Sequence, residues 1–217
     1  TCNMEFRYLS HITGDPRFAQ KADEVMDAIM DLPGGLVSDY LGWSGVQGSN
    51  GRIVNSKNSI SIGGHGDSYY EYLIKSYLQT NQTEPRFLEE WRDSISELKE
   101  SQMFTTKGGL TYIAKKRDGR IAHEWDHLGC FFPGSLELGS KHVDLAKSSS
   151  TVSQGTLDEW HSLAGDLGHL CEQMLRRTPT GLPTEVVHFD LHKQRPHDMV
   201  IQPLDDFYLL RPEIAEA

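Results

Sequence analysis

Glu84-Pro85-Arg86-Phe87-Leu88-Glu89-Glu90-Trp91-Arg92-Asp93-Ser94-Ile95-Ser96-Glu97-Leu98 is the stretch whose reading decides the fold. Phe87, Leu88, Trp91, Ile95 and Leu98 fall three or four residues apart, which lines them along one face of a helix. Glu84-Pro85 supplies a polar residue and then a proline at the first turn, where the missing N–H would have had no helical acceptor anyway. The same Pro-Arg-Phe triplet stands at 16–18 after Asp15 and opens a second apolar stripe of Phe18, Ala22, Val25, Ile29 and Leu32. Each triplet follows a helix bearing Tyr and Leu and a short polar turn, so the chain repeats a helical hairpin.

Worked outward, this pattern predicts helices over 3–13, 16–32, 67–80, 85–102, 126–140 and 156–177, with a seventh starting near 211. Strand signals are short, at 110–113 and 185–192. Glycine-rich stretches (Gly34-Gly35, Gly42 to Gly45, Gly48 to Gly51) read as irregular loops, and the Ser/Thr-rich run 148–153 as a surface loop. Repeated helical hairpins with long loops between them suggest a mainly helical α/α toroid rather than a compact bundle.

Composition narrows the function. The 217 residues hold 21 Lys plus Arg against 31 Asp plus Glu, a net charge of −10 that repels phosphate backbones, so no nucleic-acid partner is expected. No apolar run is long enough to cross a bilayer, and a membrane anchor, if one exists, is expected outside this chain. The three cysteines Cys2, Cys130 and Cys171 have no CxxC spacing; one bridge and one free thiol is the simplest arrangement. The sequon Asn81-Gln82-Thr83 fits passage through a secretory compartment.

His123-Glu124-Trp125-Asp126-His127 is a literal H-E-x-x-H, which on a regular helix would bind zinc and carry a metallopeptidase's base. Here it follows the turn 116–120 and sits at a helix start, with its first histidine outside the helix, so the zinc metallopeptidase ranks third among the readings. His188, Asp190 and His192 would share one face of a strand and mimic a two-histidine, one-carboxylate iron site, a reading ranked lower still. The acids are more informative. Asp67 and Glu71, four apart on one helix face beside Tyr69, Tyr70 and Tyr72, are like charges held together amid aromatics, as in a sugar or cation pocket. Glu185 and Glu213 are further acids in apolar or rigid surroundings. Glycosidic-bond cleavage needs such groups, one to protonate the leaving oxygen and another to activate water or attack.

The blocks Gly64-His65-Gly66-Asp67-Ser68-Tyr69-Tyr70-Glu71-Tyr72-Leu73-Ile74-Lys75, Asp126-His127-Leu128-Gly129-Cys130-Phe131, Thr180-Gly181-Leu182-Pro183-Thr184-Glu185-Val186-Val187-His188-Phe189 and Leu210-Arg211-Pro212-Glu213 together resemble the class I α-1,2-mannosidases of glycoside hydrolase family 47. The resemblance runs through essentially the whole chain. It implies part of an (α/α)7 barrel with short β-hairpins in its loops, residues 1–217 being part of one catalytic domain. It also implies inverting, calcium-dependent removal of terminal α-1,2-linked mannose from high-mannose N-glycans, in the endoplasmic reticulum, the Golgi or outside the cell.

Carried over residue by residue, Asp67 and Glu185 correspond to acids of the active site and Glu213 to the general base that activates water. His65, Glu71, Asp126 and Arg211 would contact the glycan or its neighbouring carboxylates, and Cys130 and Cys171 would form the family's disulfide, leaving Cys2 unpaired. His65 stands where endoplasmic-reticulum types carry arginine and Golgi types leucine, which leaves branch preference open. The resemblance further implies that the proton-donor block lies upstream and the calcium-ligating threonine beyond residue 217. This chain is therefore expected to hold no metal ligand and to be inactive alone. A mannose-binding glycoprotein quality-control lectin on the same scaffold is the alternative.

Overall fold

A computed structural model describes residues 2–33, 35–44, 51–148 and 150–217. Gly34, residues 45–50 of the glycine-rich stretches, and residue 149 of the Ser/Thr run lie outside them. In chain order the helices are α1 (Asn3–Thr13), α2 (Arg17–Met30), α3 (Asp67–Gln79), α4 (Pro85–Ser101), α5 (Phe131–His142), α6 (Leu145–Ser148), α7 (Gln154–Arg176) and α8 (Glu213–Glu216). Between them run short strands: β1 (Gly42–Ser44), β2 (Arg52–Val54), β3 (Met103–Thr105), β4 (Thr111–Ile113), β5 (Lys115–Arg117), β6 (Arg120–Ala122), β7 (Glu124–Asp126), β8 (Val186–Phe189) and β9 (Met199–Val200). Helices α1 and α2, α3 and α4, and α5 and α7 pack as successive hairpins, and α3 also packs on α5.

The stripe on α4 is the centre of the core: Phe87, Leu88, Trp91, Ile95 and Leu98 are all buried. Trp91 meets Phe132 of α5 and Trp160 of α7, with ring centroids 5.3 and 6.2 Å apart, so three helices share one aromatic junction. A side chain at Gly139 of α5 would meet Trp160 at 3.3 Å, and glycine there lets α5 and α7 approach closely. The stripe on α2 behaves differently. Ala22 and Met26 are buried but Val25 is 59% exposed. Phe18, Val25 and Ile29 instead line an open groove of about 810 Å³ shared with Phe6, His65 and Asp67. Charged contacts fasten this hairpin to the start of α4, Arg7 pairing with Asp23 and Glu84, and Arg86 with Asp23, Asp27 and Glu84.

The expected helix over 126–140 begins later. Residues 124–126 are strand β7, paired with β8 in the register Glu124–His188, Trp125–Val187, Asp126–Val186. The chain then turns through a 3-10 segment, His127–Cys130, capped by Asp126 Oδ1, which accepts a hydrogen bond from Gly129 N at 3.1 Å. Only after it does α5 begin. The expected strand over 185–192 is likewise shorter, because 190–192 form a turn in which the Asp190 side chain accepts from His192 N at 2.9 Å. Helix α7 starts two residues earlier than its apolar spacing suggests. Ser153 Oγ accepts from Thr156 N at 3.2 Å and Thr156 Oγ1 accepts from Ser153 N at 3.3 Å, a capping box with threonine in the usual place of glutamate.

A disulfide joins Cys130, at the end of the 3-10 segment, to Cys171 on α7, with Cα atoms 6.0 Å apart. Cys2 is free and exposed. Among the described residues, no helix is long and apolar enough to cross a membrane.

Candidate active site

Pairing of β7 with β8 sets two distant blocks side by side, and the backbone bond from His127 N to Glu185 O, 2.8 Å, extends that register past the strand ends. Glu185 is therefore carried to the 3-10 segment. Its side chain is 7% exposed, with both oxygens engaged: Oε1 accepts from Leu209 N at 2.8 Å and Oε2 from Arg211 Nε at 2.5 Å. Those two bonds hold the segment Leu209-Leu210-Arg211 in place around Leu210, whose φ of 57° lies in the left-handed region that a leucine enters only at a cost of about 1 kcal/mol or more. The segment leads directly into Pro212 and then Glu213, the first residue of α8.

Glu213 differs from Glu185 in its bonding. Its Oε2 is buried and has no hydrogen-bond partner among the described residues. Burial pushes the carboxyl above its ordinary range; nearby Glu216 and Asp67 add to the rise and Arg211 opposes it. A carboxylate so placed holds a proton more tightly than one in water, which suits it to accept a proton from a water molecule near neutral pH.

Asp67 opens α3, where the helix N-terminus favours its negative charge, and its Oδ1 accepts from Ser68 N at 2.8 Å. The loop before it is tightly built. An added Cβ would lie 1.9 Å from Asp126 Oδ1 at Gly63, and 1.9 Å from the carbonyl oxygen of Ser61 at Gly66. Asp126 Oδ2 accepts from Gly64 N at 3.3 Å and pairs with Lys115 at 2.6 Å, which ties this loop to the 3-10 segment. A second tie runs from α3 to α8, because Lys75 pairs with Glu71 and, at 3.0 Å, with Glu216. The contacts thus form a circuit from Asp67 through Asp126, His127, Glu185 and Arg211 to Glu213.

Of the residues singled out in the sequence, this circuit gathers Asp67, Glu185, Arg211 and Glu213. Asp126 belongs to it through its bonds to Lys115 and to two backbone amides. Glu71 is neutralised by Lys75, so it and Asp67 are not the repelling pair that their spacing suggests. His65 borders the groove beside Asp67, with φ 76° and its ring 5.3 Å from that of Tyr40.

The H-E-x-x-H reading fails on secondary structure. Glu124 lies in strand β7 and pairs with Arg117 at 2.6 Å, while about 13 Å of extended chain separates the two histidines. His123 bonds the Tyr112 hydroxyl at 2.8 Å, and His127 stacks on Tyr208. The iron-site reading fails too, since His188 pairs with Asp205 at 2.9 Å and Asp190 and His192 have left the strand. Among the described residues, no group of three or more His, Cys, Asp or Glu could hold a metal ion.

Sequence reasoning passed over His127 as a member of the site. It is 1% exposed, and neither ring nitrogen has a partner among the described residues. Burial holds it below the ordinary histidine range, with Glu185 opposing and Arg211 reinforcing that shift. The available signal was its place next to Asp126 in the second block, which the zinc motif obscured.

The family model for glycosyl hydrolase family 47 matches residues 1–217. The human endoplasmic reticulum mannosyl-oligosaccharide 1,2-alpha-mannosidase is 32% identical over 99% of this chain and 29% of its own length. The mannosyl-oligosaccharide 1,2-alpha-mannosidase of Candida albicans is 33% identical over 100% of this chain and 39% of its own. In structure, an alpha-1,2-mannosidase from Trichoderma reesei superposes with a TM-score of 0.76 at 19% identity, covering 99% of this chain and 44% of that one. This chain spans less than half the length of each of these relatives.

Proposed function

The chain belongs to glycosyl hydrolase family 47 and has part of its (α/α)7 barrel fold, and from that premise we propose that residues 1–217 form part of the catalytic domain of an inverting α-1,2-mannosidase. Its substrate is the terminal α-1,2-linked mannose of high-mannose N-glycans. The observation that carries this reading is the buried Oε2 of Glu213, without a hydrogen-bond partner among the described residues and held beside Arg211 and Asp67.

In the reaction, deprotonated Glu213 takes a proton from water as the water oxygen bonds to the anomeric carbon, while a carboxylic acid on the opposite face protonates the departing glycosidic oxygen. Attack opposite to the leaving group inverts the anomeric centre. Asp67, a second negative charge near Glu213, raises its proton affinity. Glu185 fixes Arg211, and through it the turn that delivers Glu213. The secretory setting belongs to the same proposal. Calcium is part of the proposal as well, and the described residues supply no cluster of ligands for it.

The test uses the polypeptide that carries this sequence, incubated with α-1,2-, α-1,3- and α-1,6-linked mannobiose, with and without a calcium chelator. Release of mannose from the α-1,2 disaccharide alone, abolished by chelation and restored by calcium, supports the reading. Glycan binding without release points to a lectin instead, and cleavage of all three linkages contradicts the specificity.

A further inference from the structure

The fold has one sequence motif that the site does not absorb. Asn81-Gln82-Thr83 forms the turn between α3 and α4, and Asn81 is exposed at its tip. Asn81 and Gln82 both take left-handed backbone angles, φ 53° and 62°, a region that asparagine enters more readily than other side chains. The turn is held from beneath. Gln82 Nε2 donates to His142 O at 2.9 Å and Gln82 Oε1 accepts from Asp144 N at 2.7 Å, anchoring it to the end of α5. Thr83 Oγ1 donates to Thr80 O at 2.8 Å. The Asn81 side chain bonds through its oxygen, Oδ1 accepting from the exposed Lys147 at 3.2 Å, and the residue itself is exposed. The tip lies at the opposite end of α3 from Asp67, about 20 Å away along the helix.

We propose that Asn81 carries an N-linked glycan. The proposal rests on the secretory reading above. The donor is an oligosaccharide linked through pyrophosphate to a polyprenyl lipid. A transferase of the secretory pathway forms the bond from Asn81 Nδ2 to the anomeric carbon of the sugar, the bond from that carbon to the pyrophosphate oxygen breaks with its electron pair on the leaving pyrophosphate, and the amide gives up one proton. A glycan added there projects into solvent, breaks none of the turn contacts of Gln82 and Thr83, and emerges away from Asp67, Glu185 and Glu213, so it leaves catalysis unobstructed.

The polypeptide carrying this sequence, recovered from a eukaryotic secretory host, is treated with an amidase that removes N-glycans and converts the attachment asparagine to aspartate. The expected result is a downward mobility shift, with Asn81 found as aspartate in the digested peptide. Asn81→Asp and Thr83→Ala should each lose the shift and Thr83→Ser should keep it, while mannosidase activity is unchanged in all three. Protein bridged at Cys130–Cys171 but unmodified at Asn81 would overturn this inference and leave the secretory reading standing. Protein with reduced cysteines and unmodified Asn81 would overturn both.

Discussion

At the scale of the residue, Glu185 and Glu213 show how environment divides work between two like side chains. Glu185 is saturated by Arg211 and the amide of Leu209 and serves to fix geometry. Glu213 keeps a buried oxygen without a hydrogen-bond partner among the described residues. Glu213→Gln is therefore expected to lower kcat by about 10²–10⁴-fold, the usual worth of a positioned base, with little change in KM. The sign of the pH dependence follows from its raised proton affinity. The active form is the deprotonated one, so kcat/KM should rise with pH through an acid limb above the ordinary glutamate value of 4.5. Replacing Arg211 with glutamine removes a nearby positive charge that lowers this affinity, and should move the limb upward. A pH–rate profile of both variants checks this, and an acid limb that stays put in Arg211→Gln would remove Arg211 from the account.

At the scale of the element, the helices were legible because their core is local. Phe87 to Leu98 repeat at a helical period and are buried as that period requires. What was misread is non-local. Nothing in residues 124–130 announces that 124–126 will pair with 186–188, and it is this pairing that turns an apparent helix start into a strand and a 3-10 turn. The early start of α7 was missed because threonine replaces the expected glutamate of the capping box.

Two predictions belong to the fastenings between elements. The Cys130–Cys171 bridge closes a loop of 41 residues. The chain-entropy model makes this worth about 4 kcal/mol, so replacing both cysteines with alanine should lower denaturant-derived stability by about 3–4 kcal/mol. Asp198 is fully buried and paired with Arg177 at 2.7 Å and Thr106 at 2.9 Å. Burial pushes its carboxyl up, but the bonds to Arg177 and Thr106 outweigh this and hold it below 3.8. Its folded value is thus depressed, and the stability it contributes is present above about pH 4 and lost as pH falls through the folded value. Asp198→Asn should cost about 3–5 kcal/mol at neutral pH, because Arg177 is left without its charge partner. A much smaller loss would mean that the pair is not buried as described.

At the scale of the whole molecule, the proposed active-site circuit exists because four blocks far apart in sequence meet at helix and strand ends. The α3 N-terminus brings Asp67, β7 and the 3-10 segment bring Asp126 and His127, the residue just before β8 is Glu185, and the segment leading into α8 brings Arg211 and then Glu213. The residues were legible as types, through their blocks, but the bond from Arg211 to Glu185 and the isolation of Glu213 Oε2 depend on tertiary packing that no local pattern encodes. The central claim is that these groups serve an inverting hydrolase, and the stereochemistry of its product tests that most directly. Proton NMR of the first mannose released from an α-1,2-linked substrate by the polypeptide carrying this sequence should show the β-anomer, followed by slow mutarotation. First appearance of the α-anomer would mean retention through a covalent intermediate, and would contradict the assignment of Glu213 as a base acting on water.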